Sequence, residues 1–320
     1  MRDPIQRHCS LQLLKVLTTI GLFLDLNDYL THQYHNNWNK DDNWDWDKEI
    51  VLITGGSSGI GASVAQMLLS RNPKTRIVII DCVPLTFTPA PSSSVQFYNC
   101  DLSRSSEIRS TCAKIRNEVG DPTIVFNNAG LSRGKSVLEG AYEDVEVTFK
   151  VNLIAPFLIL KEFLPAMVKS NHGHIIATSS MSAIVTPAGL ADYGATKAGL
   201  QNLHEALALE LASKYNATKI RTSLVTISFT ETPMFKGRTN QSPFLTPLLK
   251  VDTVGEAIVN ILYSGCGKNI YLPGIMRYIS CVRGFPSWMV RFLGEETGRL
   301  QVDYVGRQEI DTATGGLKSE

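Results

Sequence analysis

Tyr193 and Lys197 lie four residues apart in Tyr193-Gly194-Ala195-Thr196-Lys197, a phenol and an ammonium separated by about one helical turn. Side chains at that spacing share a helix face, so both can reach one spot. A free phenol titrates at about pH 10, and an adjacent positive charge favours its ionised form. The pair therefore reads as an acid/base device that exchanges a proton with an oxygen. The same spacing also describes a solvated surface pair, and the neighbouring motifs decide between the two.

Ser180 closes an apolar run over 174–180 and precedes Tyr193 by thirteen residues. A hydroxyl there can hydrogen-bond the oxygen whose proton Tyr193 exchanges. Ser179 is one residue off and points to the opposite strand face, and Ser182 has poorer spacing. His204 sits beside a stripe of Leu200, Leu203, Leu207 and Leu211, which reads as packing or a subunit contact.

A second motif, Thr54-Gly55-Gly56-Ser57-Ser58-Gly59-Ile60-Gly61, follows the apolar run Ile50–Thr54 and opens a helical stretch. Glycines let the chain turn tightly and let a pyrophosphate approach the backbone. The helix amino terminus adds unpaired N–H groups and the positive end of its dipole. In this strand–turn–helix setting the motif reads as a dinucleotide site. Asp81 ends the next apolar run, where the adenosine ribose would lie. A carboxylate there accepts bonds from both ribose hydroxyls and repels a 2′-phosphate. Ser57, Ser58 and Cys82 are not cationic, so NAD(H) is the expected cofactor, with NADP(H) left open.

The elements that must position these groups alternate in type. Strands are predicted over 50–54, 76–80, 95–99, 123–126, 174–180 and 221–227, with helices over 60–70, 103–119, 142–169 and 191–215. Such alternation predicts an α/β fold, doubly wound and Rossmann-like, with a central parallel sheet of about seven strands and helices on both faces. Ligands bind such sheets beyond the carboxyl ends of the strands.

Composition narrows the rest. At 320 residues and 43% apolar, the chain can bury a large core, and a net charge of +1 argues against a nucleic-acid partner. Six scattered cysteines form no CxxC pair and no metal-ligand cluster, so they read as reduced thiols, and no metal is expected. Residues 1–47 form an N-terminal apolar segment and polar linker. Within its apolar-rich stretch 11–30, Lys15 and Asp25 leave only Val16 to Leu24 free of charge, too short to cross a bilayer unaided. Leu13, Val16, Leu17, Ile20, Phe23 and Leu24 share a helix face, which suits a membrane-surface helix or a helix packed on the domain. The stretch 36–49, with Trp38, Trp44 and Trp46, reads as a spacer at a membrane interface or as packing on the domain edge. The sequons at Asn216 and Asn240 matter only if the domain enters a secretory lumen.

With Asn127-Asn128-Ala129-Gly130 after the fourth strand and Asn152 in the long helix, these motifs together resemble the short-chain dehydrogenase/reductase family over residues 48–273. The resemblance implies that Gly55, Ser57, Gly59, Ile60 and Gly61 form the phosphate turn, that Asp81 meets ribose and that Asp101 meets adenine. It implies that Asn128 steadies the sheet and lines the cofactor site. Ser180 would bond the substrate oxygen, Tyr193 exchange its proton, and Lys197 bind the nicotinamide ribose while lowering the phenol's pKa. Asn152 would hold a water between Lys197 and solvent. Ile227 would contact the nicotinamide and Thr232 its carboxamide. The family's usual Pro-Gly after the sixth strand is replaced here by Ile227-Ser228-Phe229.

Apolar residues in the segment 229–247 and in the C-terminal extension 274–320 suit a lipophilic substrate or membrane contact. The layout is similar to the membrane- or lipid-droplet-associated branch that includes retinol and 17β-hydroxysteroid dehydrogenases, and to fungal short-chain dehydrogenases, some in secondary metabolism. It implies an NAD(P)-dependent oxidoreductase of a lipophilic alcohol or ketone, as a homodimer or homotetramer. The expected location is cytosol-facing on endoplasmic reticulum or lipid droplet, or else the cytoplasm. An inactive dinucleotide-binding sensor is the alternative. A nucleotide-sugar epimerase would need more chain than the roughly seventy residues from 250 onward.

Overall fold

The apolar runs become strands buried on both faces, which is why they read as continuous rather than alternating. The computed structural model describes residues 4–41, 43–239, 244, 247–297, 301–304, 310–311 and 316–317. The sequon at Asn240 lies outside the described residues. The first half holds α1 (Pro4–His35), β1 (Ile50–Thr54), α2 (Gly59–Arg71), β2 (Arg76–Asp81), β3 (Ser94–Asn99), α3 (Ser105–Glu118) and β4 (Ile124–Asn127). Then come α4 (Tyr142–Phe149), α5 (Ala155–Ser170), β5 (His174–Ser180), α6 (Ala191–Ser213) and β6 (Arg221–Ile227). The last part holds β7 (Phe235–Arg238), α7 (Val251–Tyr263), β8 (Ile270–Leu272), α8 (Met276–Ile279), α9 (Ser287–Thr297) and β9 (Gln301–Tyr304).

Seven strands form one parallel sheet in the order β3-β2-β1-β4-β5-β6-β8. The strand order reverses between β1 and β4, which opens a crevice at their carboxyl ends. Alternation along β1 divides the core. Leu52 joins Ile108 of α3, Phe163 of α5 and Leu207 of α6 on one face. Val51 and Ile53 join Val64 and Leu68 of α2 and Ile258 of α7 on the other. Phe163 is fully buried, and truncating it to alanine would cost about 3–5 kcal/mol.

The long helical region over 142–169 is α4 and α5 joined through a π-helical turn, Lys150–Ile154. Pro156 falls in the first turn of α5, and Pro165 is accommodated inside it. Among the described residues this stretch, Tyr142–Ser170, is the one long and apolar enough to cross a membrane, but Ile159 and Phe163 place it in the core.

The N-terminal segment departs from a plain packed helix. α1 runs unbroken for 32 residues, and Leu13, Leu17, Leu22 and Phe23 are all at least half exposed. Its foot, by contrast, is fixed. The His35 imidazole donates to the Thr222 carbonyl at 2.8 Å, and the Asn36 side chain bonds Gly267 in both directions, at 2.8 and 3.1 Å. Arg221, 1% exposed, donates to the carbonyls of Asn36, Thr218, Asn39 and Gly265.

The stretch 36–49 is therefore not a free spacer. It runs along the amino edge of the sheet because its polar groups satisfy the strand-start backbone there. Trp44 packs on His172 at 4.5 Å between centroids and Trp46 stacks on Tyr263 at 3.9 Å, the domain-edge alternative for those rings. Trp38 is more than half exposed and meets Tyr29 and Tyr34 of α1 edge-on.

Candidate active site

The glycine turn joins β1 to α2 at the crevice. Gly55 has φ +63°, and a Cβ there would lie 2.8 Å from the Ala129 Cα. A Cβ on Gly61 would lie 2.3 Å from the Gly55 carbonyl oxygen and 2.8 Å from Asn128 Nδ2, so only glycine fits. Gly59 (φ +55°) is different: the nearest atoms, on Thr232 and Pro233, are 3.8–3.9 Å from its Cβ position. That leaves an open cradle over the amino end of α2, whose N-cap Ser58 makes no side-chain capping bond. Such a cradle fits the phosphates of a dinucleotide.

Asp81 is held rigidly at the end of β2. Its Oδ2 accepts the Ser57 N–H at 3.0 Å, and its Oδ1 accepts those of Cys82 and Val83 at 2.8 and 3.3 Å. Ser57 is fully buried and donates its hydroxyl to the Val83 carbonyl at 2.7 Å, so it braces the turn rather than facing outward. Asp101 accepts the Ser103 N–H at 2.8 Å and pairs with Arg104 at 3.4 Å, which fixes the turn after β3.

Asn128 ties three strands together. Its Nδ2 donates to the carbonyls of Thr54 and Gly55 at 3.2 and 3.0 Å, and its Oδ1 accepts the Thr178 hydroxyl at 3.2 Å. Thr54, at the end of β1, accepts the N–H groups of Asn128 and Ala129 on its hydroxyl at 3.0 and 3.1 Å.

At the chemical end, Ser180 ends β5 and Tyr193 opens α6. Burial pushes the Tyr193 phenol up to about 12, although the nearby Ser180 hydroxyl favours its ionised form. Ser180 Oγ also accepts the Ser182 N–H at 3.2 Å. Lys197 is 3% exposed, and its Nζ donates to the Thr178 carbonyl at 2.8 Å while standing 5.6 Å from the centre of the Tyr193 ring. Burial pushes the Lys197 ammonium down to about 8. Loss of water penalises both charged forms.

Asn152 lies in the π-helical turn. Its side chain accepts the Leu131 N–H and donates to the Leu131 carbonyl, each at 2.8 Å, and donates to Thr196 Oγ1 at 3.2 Å. A Cβ on Gly130 would sit 3.3 Å from Lys197 Nζ and 3.5 Å from Asn152 Oδ1, so these groups converge over that glycine. His204 is 4% exposed with neither ring nitrogen hydrogen-bonded, and burial holds it down to about 4, as befits packing. Where Pro-Gly is missing, Leu249 braces the turn: its N–H donates to the Phe229 carbonyl and its carbonyl accepts the Glu231 N–H, both at 2.9 Å.

Thr54, Thr178 and Thr196 were not singled out by the sequence reading. Threonines at strand ends and one residue before Lys197 were the available signal, and it is a weak one. Among the described residues no cluster of metal-ligating side chains occurs.

The short chain dehydrogenase family model matches residues 49–243. Dehydrogenase RED2 of Cochliobolus heterostrophus is 38% identical over 210 residues, 65% of this chain and 78% of that one. Epidermal retinol dehydrogenase 2 of Mus musculus is 31% identical over 281 residues, 85% of this chain and 87% of that one. Estradiol 17-beta-dehydrogenase 11 of Rattus norvegicus is 33% identical over 261 residues, 80% and 85% of the two chains. A solved metagenomic short-chain oxidoreductase in complex with NADP superposes with a TM-score of 0.56 at 25% identity, covering 71% of this chain and 96% of that one.

Proposed function

This chain belongs to the short chain dehydrogenase family of NAD(P)-dependent oxidoreductases acting on CH–OH groups, and we propose that it interconverts a lipophilic alcohol and its ketone or aldehyde through Ser180, Tyr193, Lys197 and Asn152. The observation that carries this reading is the placing of Lys197 Nζ, fixed on the Thr178 carbonyl, 5.6 Å from the centre of the Tyr193 ring at the carboxyl edge of the sheet, with Ser180 at the end of the strand beside them.

A nicotinamide dinucleotide, when bound, supplies the hydride acceptor or donor. The turn of Gly55, Ser57, Ser58, Gly59, Ile60 and Gly61 would hold its phosphates, Asp81 its ribose and Asp101 its adenine. Asn128, Ile227 and Thr232 would line the nicotinamide end, and Lys197 would reach the second ribose. Ser180 accepts the Ser182 N–H on one lone pair, and its proton, which favours the ionised phenol at rest, would turn to the substrate oxygen when substrate is bound. Tyr193 takes or gives the proton at that oxygen, a contribution of about 10²–10⁴-fold for a positioned acid/base group. Asn152 steadies the Leu131 backbone beside Lys197. The preference for NAD(H) is supported by the fixed Asp81 carboxylate, which would face a 2′-phosphate.

A membrane surface as partner is supported by α1 and the C-terminal extension. His35 anchors α1 at the amino edge of the sheet, while Asp28, about two turns earlier, pairs with Arg277 of α8 beyond the carboxyl end of β8. The rest of α1 thus projects on the side of the catalytic residues. Its exposed leucines, with exposed Tyr278, Trp288 and Phe292, would each gain about 1.5–3 kcal/mol on burial in lipid. Exposed Val145, Ile154, Phe157 and Leu209 on α4, the π turn, α5 and α6 suit a homo-oligomer contact.

A panel of alcohols and ketones offered with both cofactors tests this reading. Turnover is expected with NAD(H) and bulky apolar alcohols. A preference for small polar alcohols, or no turnover with any, would sink it.

A further inference from the structure

We propose that Cys82 and Cys100 form a reversible disulfide that closes the dinucleotide site to its cofactor. The proposal rests on the reading above that Asp81 holds the ribose. β2 and β3 run parallel with Asp81 opposite Asn99. The Cys100 N–H donates to the Asp81 carbonyl at 3.0 Å and so closes that last rung, which leaves Cys82 and Cys100 as the next residue on each strand, just past the paired stretch. Neighbouring strands are about 4.8 Å apart, within the Cα window of roughly 4.4–6.8 Å that disulfides span.

Alternation puts both sulfurs on one face. Val78 and Ile80 of β2 and Tyr98 of β3 belong to the same apolar cluster as Cys100, and Cys82 packs against it. Parallel neighbours hold their Cβ atoms about as far apart as their Cα atoms, whereas a disulfide needs roughly 3.8 Å. Closing the bond would therefore draw the two strand ends together by about 1 Å. A bond made under such strain is readily reduced again.

The displacement falls on the ribose site. The Cys82 N–H is bound by Asp81 Oδ1 at 2.8 Å, and Asp81 Oδ2 binds the Ser57 N–H of the phosphate turn at 3.0 Å. Moving Cys82 therefore shifts the Asp81 carboxylate and, through it, the glycine turn.

The oxidant is a hydroperoxide. Cys82 sulfur attacks the O–O bond, an S–O bond forms, and one oxygen leaves as alcohol or water. Cys100 sulfur then attacks Cys82 sulfur, the S–S bond forms, the S–O bond breaks, and the Cys100 proton leaves in water. Two thiols are oxidised and one hydroperoxide is reduced. Cys82 is half-buried and meets the oxidant first, whereas Cys100 is 1% exposed, so it is oxidised only through its neighbour.

The test treats the full chain with hydrogen peroxide, then measures intact mass, disulfide-linked peptides and NAD(H) affinity. The expected result is a loss of about 2 Da, a Cys82–Cys100 linkage and at least a tenfold weaker NAD(H) affinity, all reversed by dithiothreitol. Cys82→Ser and Cys100→Ala chains should keep their own starting affinity through the same treatment. Absence of the linkage, linkage of Cys100 to Cys112 instead, or a Cys82–Cys100 bond with unchanged affinity would each overturn the proposal. NAD(H) binding by the reduced chain tests the dinucleotide reading separately.

Discussion

The Lys197 ammonium donates to the Thr178 carbonyl at 2.8 Å, and so it is held beside Tyr193 rather than against its oxygen. Thr178 in turn gives its hydroxyl to Asn128, which bonds the Thr54 and Gly55 carbonyls of the glycine turn. One chain of contacts thus links Lys197 to the glycine turn across β5, β4 and β1. Lys197 is poised by the sheet, and its ammonium is pushed down to about 8 because it is dehydrated there.

Tyr193→Phe keeps the ring and removes only the phenol oxygen, the group proposed to exchange the proton. Turnover should fall by about 10²–10⁴-fold. Cofactor affinity, measured by fluorescence titration, should stay within a few fold. Equal turnover by the variant would defeat the assignment of Tyr193.

Asp81→Asn removes the charge and keeps one acceptor oxygen, enough for the Cys82 and Val83 N–H groups that share Oδ1 but not also for the Ser57 N–H on Oδ2. The ratio of kcat/KM for NADP(H) over NAD(H) should rise by about tenfold or more, corresponding to roughly 1.4 kcal/mol. A wild-type chain that already favours NADP(H) would show the Asp81 reading to be wrong.

Deleting residues 1–27 removes the exposed length of α1 and spares the Arg221 socket. The protein should move from the membrane fraction to the soluble fraction with its activity retained. Deleting 1–47 instead strips the Asn36 and Asn39 carbonyls from buried Arg221, a loss of about 3–5 kcal/mol. Thermal melts of the two truncations should differ accordingly. A 1–27 deletion that stays with membranes would locate the contact elsewhere.

His172 bridges two buried carboxylates, Asp41 at 2.9 Å and Glu49 at 3.4 Å. The Glu49 bond raises the imidazole above its usual 6.5, and hydrogen bonds from His172 and Thr123 hold Glu49 below its usual 4.5 despite burial. The His172 contribution is complete below pH 6.5 and is lost as pH rises through the raised value. The Glu49 contribution is present above pH 4.5 and is lost as pH falls through the lowered one. Together they make the bridge strongest between about pH 4.5 and 6.5. His172→Gln should therefore cost most near pH 5.5, about 1.5–3 kcal/mol, and progressively less towards alkaline pH. Melting curves of both chains across pH check it, and a pH-independent difference would contradict it.

The sheet was legible because its strands are buried on both faces, so runs such as Ile50–Thr54 carry their own signal. The helix over 142–169 was legible as one piece, although its π-helical turn at Asn152 was not, because that turn follows from packing rather than local preference. The glycine positions also showed through. At Gly61 no larger side chain has room beside the Gly55 carbonyl, so the composition of the turn records its shape.

What sequence alone determined was the order of elements, the nature of the turn and the set of reactive side chains at their spacing, since each depends on near neighbours in the chain. Tertiary structure alone decided which charges survive and where the N-terminal segment stops being free. Water is stripped from Lys197 by parts of the chain far from it, such as Thr178, and burial then governs its ionisation. Arg221 finds its carbonyl partners more than 180 residues away, at Asn36 and Asn39. No local pattern encodes either, because both arise only when distant segments close around one another.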